Sequence, residues 1–302
     1  MGNLGACANK PQQIGNGGCI TGPLLRATER LILTSESQQF DTQAAAKLLT
    51  NWTQGIIDNE IFPLARIDNA ENKSTEATVV TTPYGRSIYQ KDGIVGMKFF
   101  MLLSPDQHRL LMTYNDKTYR AYLAMSGGNV LGTTNGTIVR GLKVSYFHAN
   151  PIQVPAALED LAYSSVEIQF ESVSEINSSP FYLVGSELAA ATIPWYPVDG
   201  IKPLTKLTIT PGTVSAFTFV AAIFYSDPTT GITVPYENAV AAEISLTKAN
   251  GTSDPVVSVT PVVGTLGSYT IVGTAITSGT VKLNATATSP YYSDATPVVA
   301  AV

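Results

Sequence analysis

The 302-residue chain carries a formal charge of −5, with 14% charged residues, 44% hydrophobic residues and a mean hydropathy of +0.13. Soluble domains usually hold about 25% charged residues, so this composition suits β-rich structure whose surfaces are partly covered by other subunits. The negative charge speaks against a nucleic-acid binder that works by neutralising phosphates, and no run of about 18 apolar residues marks a transmembrane helix.

Residues 1–22 form an arm rich in Gly, Asn and Gln that has too little apolar material to fold alone. Its start lacks a basic region followed by an apolar one, so no secretory signal is expected and the chain is expected to fold in a cytosol. Cys7 and Cys19 lie in this arm with no histidine nearby. Structural zinc needs about four ligands, so no metal and no cofactor is expected.

From residue 23 the pattern becomes that of a β domain with one or two helices packed on it. RLILTSES (Arg30 to Ser37) reads as a first strand. A helix follows, with Asp41 as N-cap and Leu48, Leu49, Trp52 and Ile56 as its apolar stripe, ended by Phe62-Pro63. The segment Ile67 to Tyr89 is polar, holds Asp68, Glu71, Lys73 and Glu76, and alternates weakly until Pro83 and Gly85. It reads as a solvated loop or as a hairpin arm that adds strands to a neighbour's sheet edge. In the second case Thr78, Val79, Val80, Thr81, Tyr84 and Tyr89 are the inter-subunit contacts.

GMKFFMLL (Gly96 to Leu103) is predicted as a strand, and SPDQH follows it. Ser104, Asp106 and His108 are the residue types of a nucleophilic triad, but the local rules favour a helix start. Ser104 is the N-cap, Pro105 occupies the first helical position, Asp106 complements the helix dipole, and Leu110 and Leu111 supply the buried face. A triad needs a base within hydrogen-bond reach of its nucleophile, which a shared first turn does not supply. The next strands are YRAYLAMS (Tyr119 to Ser126), VLGTTNGT after a turn at Gly127-Gly128-Asn129, and IVRGLKVSYFHAN (Ile138 to Asn150). Ala162 to Ile176 completes them, with Val166, Ile168 and Phe170 facing one way and Glu167, Gln169 and Glu171 the other. His148 sits at a strand end, far in sequence from His108. Lys91, Lys98, Arg109, Arg120, Arg140 and Lys143 are interspersed with acids and read as a solvated mixed surface. No nucleotide loop or catalytic motif is present, and no enzyme is expected.

Pro194-Trp195-Tyr196-Pro197-Val198-Asp199-Gly200 reads as a stiff hinge. Beyond it, charges thin to nine among the last 102 residues, against 32 among the first 200. About seven short Thr/Val-rich strands separated by Pro, Gly and Asn-Gly turns give an immunoglobulin-like pattern over 199–302, without the Cys-Trp-Cys core.

This layout resembles the major tail tube protein of long-tailed bacteriophages. The likeness to phages of Bacteroidetes-type bacteria lies in NEIFPL, TTPYGRSIYQKDGIVGMKFFMLL, NVLGTTNGT and IVRGLKVSYFHANPIQV. The resemblance implies a tail-tube-like β-sandwich or barrel over 23–198, with flanking helices, and an Ig-like decoration domain over 199–302. It implies a virion structural protein whose copies form stacked, usually hexameric, rings around a DNA conduit. The partners expected are the chain itself, other tail or neck proteins, and DNA that passes without specific binding. The site expected is the virion tail, assembled in the bacterial cytoplasm, with no membrane insertion. A second expectation is a decoration protein or receptor-binding adhesin that binds host glycans through the Ig-like domain, motivated by Trp195, Tyr291 and Tyr292 as exposed aromatics.

Overall fold

The structure, a computed structural model, describes residues 27–126, 129–154, 162–177, 179–184, 204–226, 233–286, 289 and 291–300. The N-terminal arm with Cys7 and Cys19, the Gly127-Gly128 turn and the Pro194 to Gly200 hinge lie outside them. The chain divides into two compact units, Met1–Pro203 and Leu204–Val302, both mainly β.

The first unit runs β1 (Thr28–Thr34), α1 (Gln43–Ala46), α2 (Leu49–Ile57), β2 (Ile61–Arg66), β3 (Asn69–Asn72), β4 (Thr78–Thr81), β5 (Ser87–Lys91) and β6 (Gly96–Met101). It continues with α3 (Pro105–Met112), β7 (Arg120–Met125), β8 (Asn129–Asn135), β9 (Ile138–Arg140), β10 (Leu142–Ala149), β11 (Ser164–Phe170), α4 (Val173–Asn177) and β12 (Pro180–Val184). The main sheet has the order β12-β8-β7-β10-β11-β6-β3, with β1 and β2 branching from β7 and β9 from β8.

Strand β7 is the hub. Strand β1 pairs along its whole length, from Thr28 opposite Met125 to Thr34 opposite Arg120. The other edge is shared: β8 takes Leu123 to Met125, and β10 takes Arg120 and Ala121. There the sheet splits into two halves that close on one core. Leu31, Leu33, Ala121 and Leu123 come from one half, and Phe99, Val144, Val166, Ile168 and Phe170 from the other. Alternate residues point to the opposite face, where α1 and α2 cover them. Trp52 is fully buried, 4.8 Å from the Tyr122 ring and 4.8 Å from that of Phe40, and its indole N–H donates to the Ala46 carbonyl. All six residues of β7 are therefore buried.

Several sequence expectations shift. The cap of α1 is Thr42, whose hydroxyl accepts from the Ala45 N–H, and not Asp41. The chain breaks helix between Ala46 and Leu49, so Leu48 sits at the join and is 40% exposed, while Leu49, Trp52 and Ile56 are buried. Phe62-Pro63 does not merely end a helix; it lies inside β2, which among the described residues pairs only with β1, and an edge strand tolerates a residue without an N–H. Ile138 to Asn150 is two strands. At Gly141 the chain leaves β8 for β7, and a Cβ there would meet the Ala121 nitrogen at 2.7 Å. Ala162 to Ile176 stops being strand at Phe170 and turns into α4.

The second unit comprises β13 (Thr205–Pro211), β14 (Thr218–Ser226), β15 (Thr233–Pro235), β16 (Ile244–Lys248), β17 (Ser253–Asp254), β18 (Val256–Pro261), β19 (Ser268–Gly273), β20 (Gly279–Leu283), β21 (Tyr291–Ser293) and β22 (Thr296–Val298). One sheet has the order β18-β19-β14-β13-β21, with β15 on β14; the other has β17-β16-β20-β22. Both contribute to one core, with Leu207, Phe219, Ile223, Tyr269 and Ile271 from the first and Ile244, Leu246, Val281 and Leu283 from the second. Asp254 is one of two buried carboxylates, with Glu243, among the described residues of this charge-poor unit. Its carboxylate accepts from the backbone N–H groups of Thr274, Ala275 and Ile276 and lies 3.2 Å from Lys248 Nζ. Burial pushes its pKa up, but the Ala275 and Thr274 N–H bonds and Lys248 more than offset this and hold it below the usual aspartate value.

Two outcomes follow from these interiors. Trp52→Ala removes the ring that α2 packs on the sheet and costs about 3–5 kcal/mol in chemical unfolding of the first unit. Asp254→Ala removes the acceptor of three N–H groups, that of buried Ile276 and those of exposed Thr274 and Ala275, and costs the second unit about 1–3 kcal/mol. Because the folded pKa is depressed, the wild-type advantage is present above the unfolded aspartate pKa and fades as pH falls through the folded one. Calorimetric scans of both chains between about pH 7 and about pH 3 read it as a gap that closes in acid.

Candidate functional site

The stretch that most resembles chemistry is resolved by its hydrogen bonds. Ser104 accepts from the Gln107 N–H at 3.3 Å, while the Gln107 side chain accepts from the Ser104 N–H at 3.0 Å, a reciprocal capping box with Pro105 in the first turn. Asp106 is exposed and 3.7 Å from the guanidinium of exposed Arg109. The buried face is His108 and Leu111; Leu110, expected to bury, is 61% exposed. Positions 108 and 111 share one helical face, and 110 is turned about 100° from 111. His108 meets a different serine: its Nδ1 is 2.8 Å from Oγ of Ser164 at the start of β11, which is fully buried. A nucleophile must be reachable by substrate, so this pair ties α3 to the sheet. Sequence reading misses Ser164 because it lies 56 residues away with no local signal.

His148 is half-buried on β10, its ring stacked on Tyr146 at 6.1 Å. It opens a cross-strand row on the outer face of the sheet: His148 opposes Glu167, Glu167 opposes Lys98, and Lys98 opposes Glu71. Lys98 is 3.5 Å from Glu167, and Lys73 is 2.8 Å from Glu71. The expectation of a solvated mixed surface fails at Arg120. That side chain is buried, with Nε donating to the Gly141 carbonyl at 2.7 Å and Nη2 to Glu175 at 2.6 Å. Glu175 also accepts the Lys143 N–H at 2.6 Å. Among the described residues no group of three His, Cys, Asp or Glu is placed to hold a metal, and no helix is long and apolar enough to cross a membrane.

The surface feature that stands out is the ribbon β4–β5. Strands β3 and β6 pair as part of the main sheet. The ladder then continues outward through Lys73 N–H to Gly96 O and Thr75 N–H to Ile94 O before β4 and β5 pair, among the described residues, only with each other. The turn is encoded locally. Pro83 presets the first turn position, and Gly85 takes φ +77°, closed by its N–H to the Thr82 carbonyl at 2.9 Å. Val79 opposes Tyr89 and Val80 opposes Ile88, so the two pairs lie on opposite faces. All four are exposed, at 53%, 57%, 47% and 49%, and Tyr84 at the tip is 97% exposed. Of the six residues expected as contacts, Thr78, Val79, Val80 and Thr81 lie on β4, Tyr84 in the turn and Tyr89 on β5. Thr78 alone is half-buried. The sequence reading passed over Ile88, which completes the second apolar face.

No protein-family model and no curated protein matches the chain.

Ser164 and Ser104 are expected to resist a fluorophosphonate probe, read by peptide mass spectrometry, because one is buried and the other is engaged in its cap. His108→Ala is expected to lower stability by about 1–3 kcal/mol by unpairing Ser164. Labelling of either serine would restore a catalytic reading.

Proposed function

We propose that the chain is a virion structural protein that assembles with copies of itself: the subunit of a phage tail tube made of stacked, closed hexameric rings. The observation that carries this reading is the β4–β5 ribbon. An isolated two-stranded ribbon is at best marginally stable in water; this one carries exposed apolar side chains on both faces, and among the described residues no other strand pairs with its edges. One apolar face asks for one covering surface, and two faces ask for two. A ribbon held between adjacent copies in a ring receives both, and its edges find strands to pair with. Low overall charge is in keeping with surfaces that subunits cover, and a mildly acidic wall lets DNA pass without adhering. Other tail or neck proteins are the further partners of such a ring, and the virion tail is its place.

The second unit is read as an Ig-like module. The support is strand order: β18-β19-β14-β13 follows the D-E-B-A sheet of that fold, and β16-β20-β22 follows C-F-G with β17 as an added edge strand. Of the two aromatics expected to be exposed there, Tyr291 and Tyr292 are both half-buried; Trp195 lies outside the described residues.

Purified full chain is expected to form rings or tubes by negative-stain electron microscopy. The double variant Val80→Asp/Ile88→Asp charges one face of the ribbon at exposed positions, so its melting stability stays within about 0.5 kcal/mol, yet it sediments as a monomer. A wild-type chain that stays monomeric at high concentration, or a double variant that polymerises normally, sinks the reading.

A further inference from the structure

We infer that the second unit carries a cleft for a neutral saccharide, built on Tyr225, Tyr236 and Tyr291 with the carboxylate of Glu243 as its buried polar group. The cleft lies where the ends of β14, β15 and β21 meet the short 3-10 turn Ala241–Glu243, and its volume is about 650 Å³. Small-molecule sites span roughly 300–1,000 Å³ and combine apolar walls with a few fixed polar groups. Here the walls are aromatic. The Tyr236 and Tyr291 rings are 4.9 Å apart and those of Tyr225 and Tyr291 are 6.0 Å apart; Tyr225 and Tyr291 are half-buried, and Tyr236, 6% exposed, backs Tyr291.

The polar groups are fixed from behind. Glu243 is 5% exposed, and its Oε2 accepts the Tyr236 hydroxyl at 3.1 Å and the Val240 N–H at 3.4 Å. The Tyr236 hydroxyl also lies 3.2 Å from Oγ of buried Ser289. Burial raises the Tyr236 pKa to about 12, with Ser289 opposing and the Glu243 charge adding to it, so the phenol keeps its proton. Glu237 and Asn238 stand exposed at the rim.

This combination selects among ligands. A pyranose presents C–H groups to an aromatic face and hydroxyls that donate to a carboxylate, and the cleft offers both. A quaternary ammonium is recognised by ring faces that surround it, whereas here Tyr291 packs directly on the other two rings. Acidic sugars meet the charges of Glu237 and Glu243. The inference is independent of the assembly reading, because the cleft lies wholly within the second unit.

The test is saturation-transfer difference NMR on the full chain with maltotriose, cellotriose and diacetylchitobiose as probes and tetramethylammonium as the cationic control. The signal is read on the ligand, so the size of any assembly does not affect it. At least one sugar is expected to show transfer to its ring C–H protons at about 10 mM or below. Tyr225→Leu keeps an apolar side chain but no ring, and is expected to weaken binding about tenfold; Tyr225→Phe is expected to retain it. Val240→Trp, at an exposed rim position, is expected to block the cleft and abolish transfer without touching the tyrosines. Silence from all three sugars, transfer unchanged in both Tyr225→Leu and Val240→Trp, or transfer from tetramethylammonium alone overturns the inference.

Discussion

Burial of β7 on both faces is the constraint from which the first unit is built. A strand that shows no residue to water needs a covering layer on each side, and the two layers here are unlike. On one side the second half of the same sheet folds over, bringing Phe99, Val166 and Ile168 against Leu123 and Ala121. On the other, α1 and α2 supply Trp52, whose ring meets Tyr122 edge-on at 4.8 Å. The double cover explains why β1, paired along β7, is also buried from Leu31 to Thr34. It also raises the cost of polar atoms there. The Tyr122 hydroxyl is buried without a hydrogen-bond partner among the described residues, and burial moves its pKa upward.

The same splitting of the sheet sends its far end outward. Beyond β11, cover diminishes strand by strand: β6 has three buried and three half-buried residues, and β3 is exposed throughout. At the base of the ribbon the exposed face is satisfied by charge, through Lys98, Glu167, Glu71 and Lys73. Farther out the side chains become Val, Ile and Tyr, which water does not satisfy. The change from an ion-paired row to an apolar ribbon occurs within two strands. That transition, more than low charge, is what a proposed neighbouring copy would cover.

Local signals were legible in the sequence wherever short-range chemistry decides. The Ser104 cap, the Pro83-Tyr84-Gly85 turn and the alternation of Val166, Ile168 and Phe170 are each written within a few residues, and each has its expected form. Errors arose where the deciding partner is remote. Leu110 and Leu111 are equally apolar, and only the position of β11 makes His108 and Leu111 the inward pair. Arg120 reads as a surface cation until Glu175, 55 residues on, is brought beside it. The break at Gly141 reflects a change of neighbour from β8 to β7, which no periodicity records. The tyrosine cleft was legible only as a scatter of aromatics, because Tyr225, Tyr236 and Tyr291 stand on three different strands or loops.

The buried polar groups share one use. Helix α4 has no fully buried residue, and the Arg120–Glu175 pair fastens it to β7 and β10. Helix α3 is short, with one buried leucine, and His108–Ser164 adds a polar tie to β11. Residues 274–276 lie outside any strand, and Asp254 holds all three of their N–H groups. In each case an element with too little apolar surface to dock by burial alone is held by a directional bond, which hydrophobic contact cannot replace because it fixes no single geometry. A serine, a histidine and several carboxylates are thereby spent on architecture. Glu243 belongs to the same set by its bonds to Tyr236 and Val240, but it also borders an open cleft, and that difference is what singles it out for recognition.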